Sequence, residues 1–545
     1  MNGISIKKGS ITNSMKKIIT LVVLICNALI TYAQQEVVLL ADNYKSLVEQ
    51  FNRNDHEVYK DAVPNVEAWQ FLKSNIPLLD CPDKNLELTY YFRWWTLRKH
   101  IRKTPDGYIF TEFLPDVSWA GKYNSINCAA AQHYYEARWL WDDKYLKDYS
   151  IFWLRKGGSL RSYSFWMADA VWSLYKVRRD QKFTTNLIPD LVSNYYAWEK
   201  GWTDKNGFFT GKNRDGLFSQ IDDRDGMEMS IGGNGKRPTI NAYMYGDARA
   251  ISSIAGLNND MKNSALFTRK ADTLRKLVTE KLWDKKSQFF QTLKSNKAEF
   301  VNVREVLGYT PWFFELPPTN KGYEIAWSQI KMSDGFNAPY GLTTAEQRHP
   351  KFQLSYVGHE CKWDGPSWPF STSITLSALA NVLNDYRQDV VTKSDYFQQL
   401  LIYANAHRIT MEDGKILPWI DEVINPYTGD WISRTMLKDM GWQKNLGGLE
   451  RGKDYNHSTF CDLIISGLVG IRPQADDSLI INPLLPDKAW DWFCLDRVPY
   501  HGHSITVLYD RYGKKYGKGK GLMCFSDGKL IASSEKLEKL SFKLK

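Results

Sequence analysis

Little in this 545-residue sequence invites metal or thiol chemistry. Of its seven cysteines, Cys26 lies in an N-terminal apolar run, and Cys81, Cys128, Cys361, Cys461, Cys494 and Cys524 are scattered with no CxxC or CxxH among them. The lack of a close Cys/His cluster argues against a structural zinc site, and no metal ligand is assigned. A chain this long builds its own core, so the six are expected to be mostly buried thiols rather than disulfides. Long apolar runs are also scarce. The run from Ile18 to Ile30 has thirteen residues, short of the ~20 that a bilayer-spanning helix needs, and no later segment qualifies, so no membrane span is expected. Net charge is missing where a nucleic-acid partner would need it. The formal +10 is carried by Lys7, Lys8, Lys16 and Lys17 and by a +7 tail from Arg511 to Lys545, which leaves −1 for everything between. Nucleic acid is therefore not a partner.

What is present begins with the N-terminus. A basic stretch ending in Lys16-Lys17 precedes the apolar run, which closes on Thr31-Tyr32-Ala33-Gln34. This is the pattern of a signal peptide over residues 1–33, and it implies export to the periplasm or cell surface. Ile25 stands before Cys26 where a lipoprotein signal wants a small residue. Aromatic residues make up 14% of the chain, with 21 Trp. Such rings fill a wide helical core and stack on the C–H faces of sugars, and core filling alone could account for most of them.

Residues 34–84 read as a lead-in with one or two helices. From Leu86 helix-period segments alternate with loops rich in Gly, Asp, Asn and Pro: Leu86 to Ile101, Asn127 to Lys144, Phe165 to Val177, Leu187 to Trp198, Thr239 to Ala255, Ser264 to Leu282, Ser371 to Leu383, Tyr396 to His407 and Ser458 to Leu468. Many helices in pairs without repeating sequence fit an α/α toroid better than a solenoid. The spacing therefore predicts a mainly α fold over residues 85–470. Strand-length segments such as Ser478 to Pro483 and Ser504 to Tyr509 predict a small C-terminal β domain over residues 471–545.

Three loops carry candidate chemistry. In the first, Ile221 to Gly233, the carboxyls of Asp222, Asp223, Asp225 and Glu228 crowd a Gly-flanked turn, so one of them could be held protonated by its neighbours. A solvated acidic loop or a calcium site reads the same residues, though the spacing is not that of an EF-hand. In the second, Trp363-Asp364-Gly365-Pro366-Ser367-Trp368 runs into a helix, either as a stacking wall or as a packed turn. In the third, Asp421-Glu422 precedes the Asn425-Pro426-Tyr427-Thr428-Gly429 turn, and Asp454-Tyr455-Asn456-His457 follows. Inverting hydrolysis of a glycosidic bond needs an acid and a base roughly 6.5 to 9.5 Å apart and no cofactor.

In this order the three loops resemble those of the trehalase-like (α/α)6 glycosidases, in particular glycoside hydrolase family 63 and the related mannosylglycerate hydrolases. Arg224-Asp225-Gly226-Met227-Glu228-Met229-Ser230 is similar to the family's acid motif, Trp363 to Trp368 to its Trp-x-Gly-Pro-x-Trp run, and Glu422 to Gly429 to its base motif. The resemblance spans roughly residues 85 to 470. It implies a six-hairpin toroid and an exo-acting, inverting glycosidase with Glu228 as general acid and Glu422 as general base, acting on a carbohydrate.

Three positions depart from the family. Its acid is Asp where Glu228 stands, an aromatic is expected at Ile424, and Trp is usual at His457. These departures imply a shifted sugar specificity. Substrate contacts are expected from Trp119, Tyr123, Arg161, Trp166, Asp225, Trp363, Gly365, Trp368, Asn425 and His457. Two rival readings share the same residues: a polysaccharide lyase using Tyr455, Asn456, His457 and Arg161, and a glycan-binding protein that has lost catalysis.

Overall fold

A computed structural model describes residues 38–295, 297–355 and 361–544. The expected signal segment, residues 1–33, lies outside the described residues. Two lead-in helices, α1 (Lys45–Arg53) and α2 (Asn65–Asn75), are followed by strand β1 (Leu78–Asp80). Helix α3 (Lys84–Lys99) then begins where the Asp83 carboxylate accepts from the main-chain N–H groups of Asn85 and Leu86. It ends with Arg98 and Lys99 in its last turn, so both ends carry the charge that the helix dipole favours.

From α3 onward, outer and inner helices alternate. They are inner α4 (Ala130–Ala137), outer α5 (Lys144–Arg155), inner α6 (Met167–Arg178), outer α7 (Ile188–Lys200), inner α8 (Pro238–Leu257) and outer α9 (Met261–Lys281). The fourth inner element is a 3-10 turn, Val306–Tyr309, running into α10 (Thr310–Phe313), and its outer partner is the 3-10 helix Tyr323–Lys331. Inner α11 (Pro369–Asp385), outer α12 (Lys393–Ala406) and a π-wound inner helix, α13 (Leu463–Leu468), complete the set.

Burial follows these positions on α8 and α9, whereas α3 is buried on all faces because the lead-in helices α1 and α2 pack on it. Outer α9 buries Phe267, Ala271, Leu274 and Val278, a single stripe at helical spacing. Inner α8 is covered on all sides and buries Ile240, Tyr243, Met244, Ala248 and Ile251 together with Asn241 and Asp247.

The inner helices pack in a ring: α4 on α6, α6 on α8, α8 on α10, α10 on α11, and α11 on α13. Glu136 at the end of α4 closes the ring. Its carboxylate accepts from the main-chain N–H groups of Phe460, Cys461 and Asp462, on the turn into α13, at 3.1, 2.9 and 2.8 Å. Arg138 adds an ion pair with Asp462 at 2.7 Å. The result is an (α/α)6 toroid.

The C-terminal strands are β2 (Ile471–Pro473), β3 (Ser478–Ile481), β4 (Trp492–Tyr500), β5 (His503–Asp510), β6 (Gly521–Ser526), β7 (Lys529–Ser534) and β8 (Leu540–Lys543). They form two antiparallel sheets, β1-β4-β5-β6-β7 and β2-β3-β8. Strand β1 joins from the lead-in, with Leu79 opposite Leu495.

One expected helix is divided. Asn127 to Lys144 is not continuous, because the chain leaves α4 after Ala137, and the Trp141 N–H turns outward to the carbonyl of Asn75 at 2.8 Å. Asp142 then accepts from the Lys144 N–H at 3.0 Å, where α5 begins. Cys81, Cys128, Cys461, Cys494 and Cys524 are buried thiols. Among the described residues no helix is long and apolar enough to cross a membrane.

Candidate active site

The candidate residues lie on the loops that precede inner helices α4, α6, α8, α11 and α13. They line a cavity of about 240 Å³ bounded by Glu112, Phe113, Trp119, Cys128, Tyr163, Asp223, Arg224, Glu228, Cys361, Trp363, Trp368, Phe370, Glu422, Arg451, Tyr455 and His457. Glu228, Glu422, Trp119, Trp363, Trp368 and His457 are thus brought to one place.

The three sequence loops are joined through their main chains. The Trp363 N–H donates to the Glu228 carbonyl at 3.1 Å, and Ser367 and Ile424 exchange N–H···O bonds of 3.0 and 2.9 Å. The acid loop, the tryptophan loop and the base loop are therefore hydrogen-bonded to one another.

The loop of Glu228 is held from beneath. Asp225 pairs with Arg237 at 2.8 Å, and both side chains are almost wholly buried. Thr239 Oγ1 also donates to Asp225, and Arg237 donates to the Gly233 carbonyl. Gly226 lies at φ 72°, and a Cβ there would stand 2.5 Å from the Cys128 sulfur, so the close turn requires glycine.

Glu228 keeps partial exposure toward the cavity, yet its carboxyl is surrounded by protein and its pKa is pushed well above the usual range. Burial is the main cause. Its own main-chain hydrogen bond opposes the shift, and the charges of Asp223, Glu422 and Glu112 add to it. Of the aspartates expected to hold this proton, Asp223 is the one among the main contributors, while Asp225 is paired with Arg237.

The base loop divides the work of its two acids. Glu422 faces the cavity, with an oxygen 3.5 Å from an Arg451 guanidinium nitrogen. Asp421 faces inward, where it accepts from Ser433 Oγ at 2.8 Å and from the Glu422 N–H at 2.9 Å, and lies 3.4 Å from Arg434. Arg451 stacks over Trp119 at 4.8 Å.

A third carboxyl, Glu112, also lines the cavity. Its Oε1 accepts from Tyr455 Oη, and its Oε2 is buried with no hydrogen-bond partner. Burial raises its pKa to about 8, the Tyr455 hydrogen bond opposes the shift, and Glu422 adds to it. His457 is buried with neither ring nitrogen partnered. Burial holds it well below the usual imidazole value, and the nearby main-chain groups of Glu422 and Tyr455 oppose that shift without meeting hydrogen-bond geometry. Trp363 and Trp368 stack on each other at 4.6 Å, 15° from parallel, and His457 meets the Trp368 ring edge-on at 6.1 Å. Both rings line the cavity, and the Trp363 Nε1 is buried without a hydrogen-bond partner.

Six of the expected substrate contacts lie away from the cavity lining. The Tyr123 hydroxyl donates to Asp106. Arg161 donates to Asn194 at 2.9 Å and sits with Trp119, Trp202 and Arg224 on an outer groove. Trp166 is core, packed on Tyr243, Phe313 and Phe314. Asp225 anchors its loop as described. Gly365 permits a close pass of the Gln353 carbonyl, 2.1 Å from where a Cβ would be. Asn425 accepts from the Tyr427 N–H within its own turn.

Sequence reasoning missed Glu112 and Arg451. Glu112 is a lone acid after the hairpin Ile101–Thr104/Gly107–Phe110. Arg451 sits in Gly447-Gly448-Leu449-Glu450-Arg451-Gly452-Lys453, which reads as a solvated loop. Among the described residues no group of three or more His, Cys, Asp or Glu is arranged to hold a metal ion.

Residues 122–458 match the family model of the mannosylglycerate hydrolase MGH1-like glycoside hydrolase domain, and residues 471–529 match that of the glycosyl hydrolase family 65 C-terminal domain. A solved protein named Sialidase is 43% identical over 92% of this chain, with a TM-score of 0.84. This chain spans only 44% of that protein's length. The GH63 mannosylglycerate hydrolase from Thermus thermophilus, solved with Tris and D-glycerate, is 13% identical over 69% of this chain and 100% of its own, with a TM-score of 0.49.

Proposed function

Given that the chain belongs to the mannosylglycerate hydrolase MGH1-like glycoside hydrolase family, we propose that it is an exported, exo-acting glycosidase that inverts the anomeric centre, with Glu228 as general acid and Glu422 as general base. The observation that carries this reading is that both carboxyls line one cavity while burial pushes the Glu228 carboxyl well above its usual pKa. Glu228 gives its proton to the glycosidic oxygen as the bond from that oxygen to the anomeric carbon breaks. Glu422 takes a proton from a water whose oxygen bonds to the same carbon from the opposite face. The acid ends ionised and the base protonated, and exchange with solvent resets both.

The cavity volume of about 240 Å³ lies below the roughly 300 Å³ at which pockets begin to hold drug-sized ligands. It suits one terminal sugar and hence exo action. Of the two guanidiniums on its lining, Arg451 faces Glu422 and Arg224 is at the exposed rim, which favours an uncharged sugar over an acidic one. Export rests on the signal pattern of residues 1–33, and a mature chain beginning at Gln34, read by N-terminal mass spectrometry, tests it.

The enzymatic test is a panel of aryl glycosides with the first-formed product followed by NMR. Release of the opposite anomer supports the proposal, and release of the same anomer or of an unsaturated sugar rejects it. The elimination alternative needs a cation or amide beside the substrate carboxylate, and the Arg161 proposed for that role bonds Asn194 outside the cavity.

A further inference from the structure

Three buried polar atoms on one wall of the cavity have no partner in the protein: Glu112 Oε2, His457 Nδ1 and His457 Nε2. Native proteins rarely leave such atoms unmatched, and where they do a ligand or water is the usual explanation. The wall is rigid. Tyr455 donates to Glu112 Oε1 while its ring lies 3.9 Å from the His457 ring, so one side chain sets both neighbours. Their segments are clamped together as well. The Asn456 N–H donates to the Glu112 carbonyl at 3.1 Å, the Asn456 side chain to the Thr111 carbonyl at 3.0 Å, and His133 bonds the Asn456 carbonyl at 2.6 Å. The unmatched atoms are thus fixed in place rather than free to turn toward other partners.

Resting on the glycosidase reading, we propose that Glu112 and His457 form a shelf, set by Tyr455, that hydrogen-bonds two hydroxyl groups of the terminal sugar ring and determines which uncharged sugar the enzyme accepts. A neutral imidazole offers one donor and one acceptor, and a carboxyl without a cationic partner offers a hydroxyl-matched donor or acceptor. Glu112 has no ion pair among the described residues, and no cation contributes to its shift. A shelf of this kind suits hydroxyls and offers nothing to a sugar carboxylate. It also gives His457 a role that an apolar or indole side chain at this position does not supply.

The test is binding, read apart from turnover. Neutral monosaccharides and their monodeoxy analogues are titrated by calorimetry into the full chain, Glu112→Gln, Glu112→Ala, His457→Phe and Tyr455→Phe. The unaltered chain is expected to bind one sugar of the panel and to lose roughly 10- to 100-fold in affinity when either of two ring hydroxyls is removed. Glu112→Ala should become indifferent to one of those hydroxyls and His457→Phe to the other, while Tyr455→Phe blunts both preferences. Glu112→Gln retains shape and covers the case in which the alanine variant fails to fold.

The shelf is overturned if the variants keep the same hydroxyl preferences, if they weaken all sugars equally, or if the unaltered chain binds none of the panel. The acid and base assignment fails separately. A Glu228→Gln protein that turns over at the normal rate would remove that assignment while the hydroxyl pattern stands.

Discussion

Asp225 and Arg237 form a 2.8 Å ion pair with side chains 0% and 1% exposed, directly beneath the loop that presents Glu228. A buried pair of this kind is strongly destabilised when one partner is lost, because the other charge remains uncompensated. Arg237→Met is therefore expected to lower unfolding stability by about 3–5 kcal/mol, measured by denaturant titration. Activity should fall with it as the Glu228 loop loses its anchor. A loss within the range of an ordinary surface substitution would show that the pair does not hold the loop.

Replacing either reacting carboxyl separates chemistry from folding. Glu228→Gln and Glu422→Gln should each reduce kcat on a good aryl glycoside by roughly 10²- to 10⁴-fold. Their thermal midpoints should stay close to that of the unaltered protein. A rate near normal in either variant rejects the assignment for that residue.

Stability should depend on pH in a particular direction. Glu112 has a folded pKa of about 8 against an ordinary 4.5, and Glu228 is raised in the same sense. The folded state therefore retains protons that the unfolded chain releases. The stabilisation is fully present below the unfolded value and is lost as pH rises through the folded one. The buried His133 and His457, whose pKa values are lowered by burial, act in the opposite sense below about pH 6.5, so thermal midpoints should decline from about pH 7 to about pH 9, and Glu112→Gln should flatten part of that decline. A midpoint that rises across this window would contradict the burial of these carboxyls.

The Trp363–Trp368 stack supplies a further test. Truncating a large buried ring costs roughly 3–5 kcal/mol, and the Trp363 N–H also fixes the Glu228 main chain. Trp363→Ala should therefore be destabilised by about that amount, as read by denaturant titration, and should lose turnover. Trp363→Phe should recover much of the stability. Equal damage from both would mean that the indole is needed for more than packing.

The fold was largely legible because its helices are long and covered by apolar residues at helical spacing, as on α9 and α12. The fourth pair was not. Val306–Phe313 and Tyr323–Lys331 are short or 3-10 wound, and a segment of one or two turns has no period to detect. At the site, motif order pointed to loops that do meet in space. Motifs nonetheless name residues without saying which way they face. Asp225 and Asn425 are spent on holding their own loops, and Trp166 fills the core. Glu112 was invisible because nothing in its neighbourhood distinguishes a lone acid aimed into a cavity from one aimed at water. Its partner Tyr455 lies 343 positions further along the chain.

Ring closure by Glu136 has a consequence for how the molecule comes into being. The carboxylate and the three amides it binds are separated by 324 to 326 residues, and contacts so distant in sequence form late and slow the search for the native state. As the chain leaves the ribosome, Glu112, Glu228 and Glu422 all emerge before the turn into α13 that completes the ring. A nascent chain cut off before Phe460 would hold all three carboxyls and still have an open arc instead of a pocket.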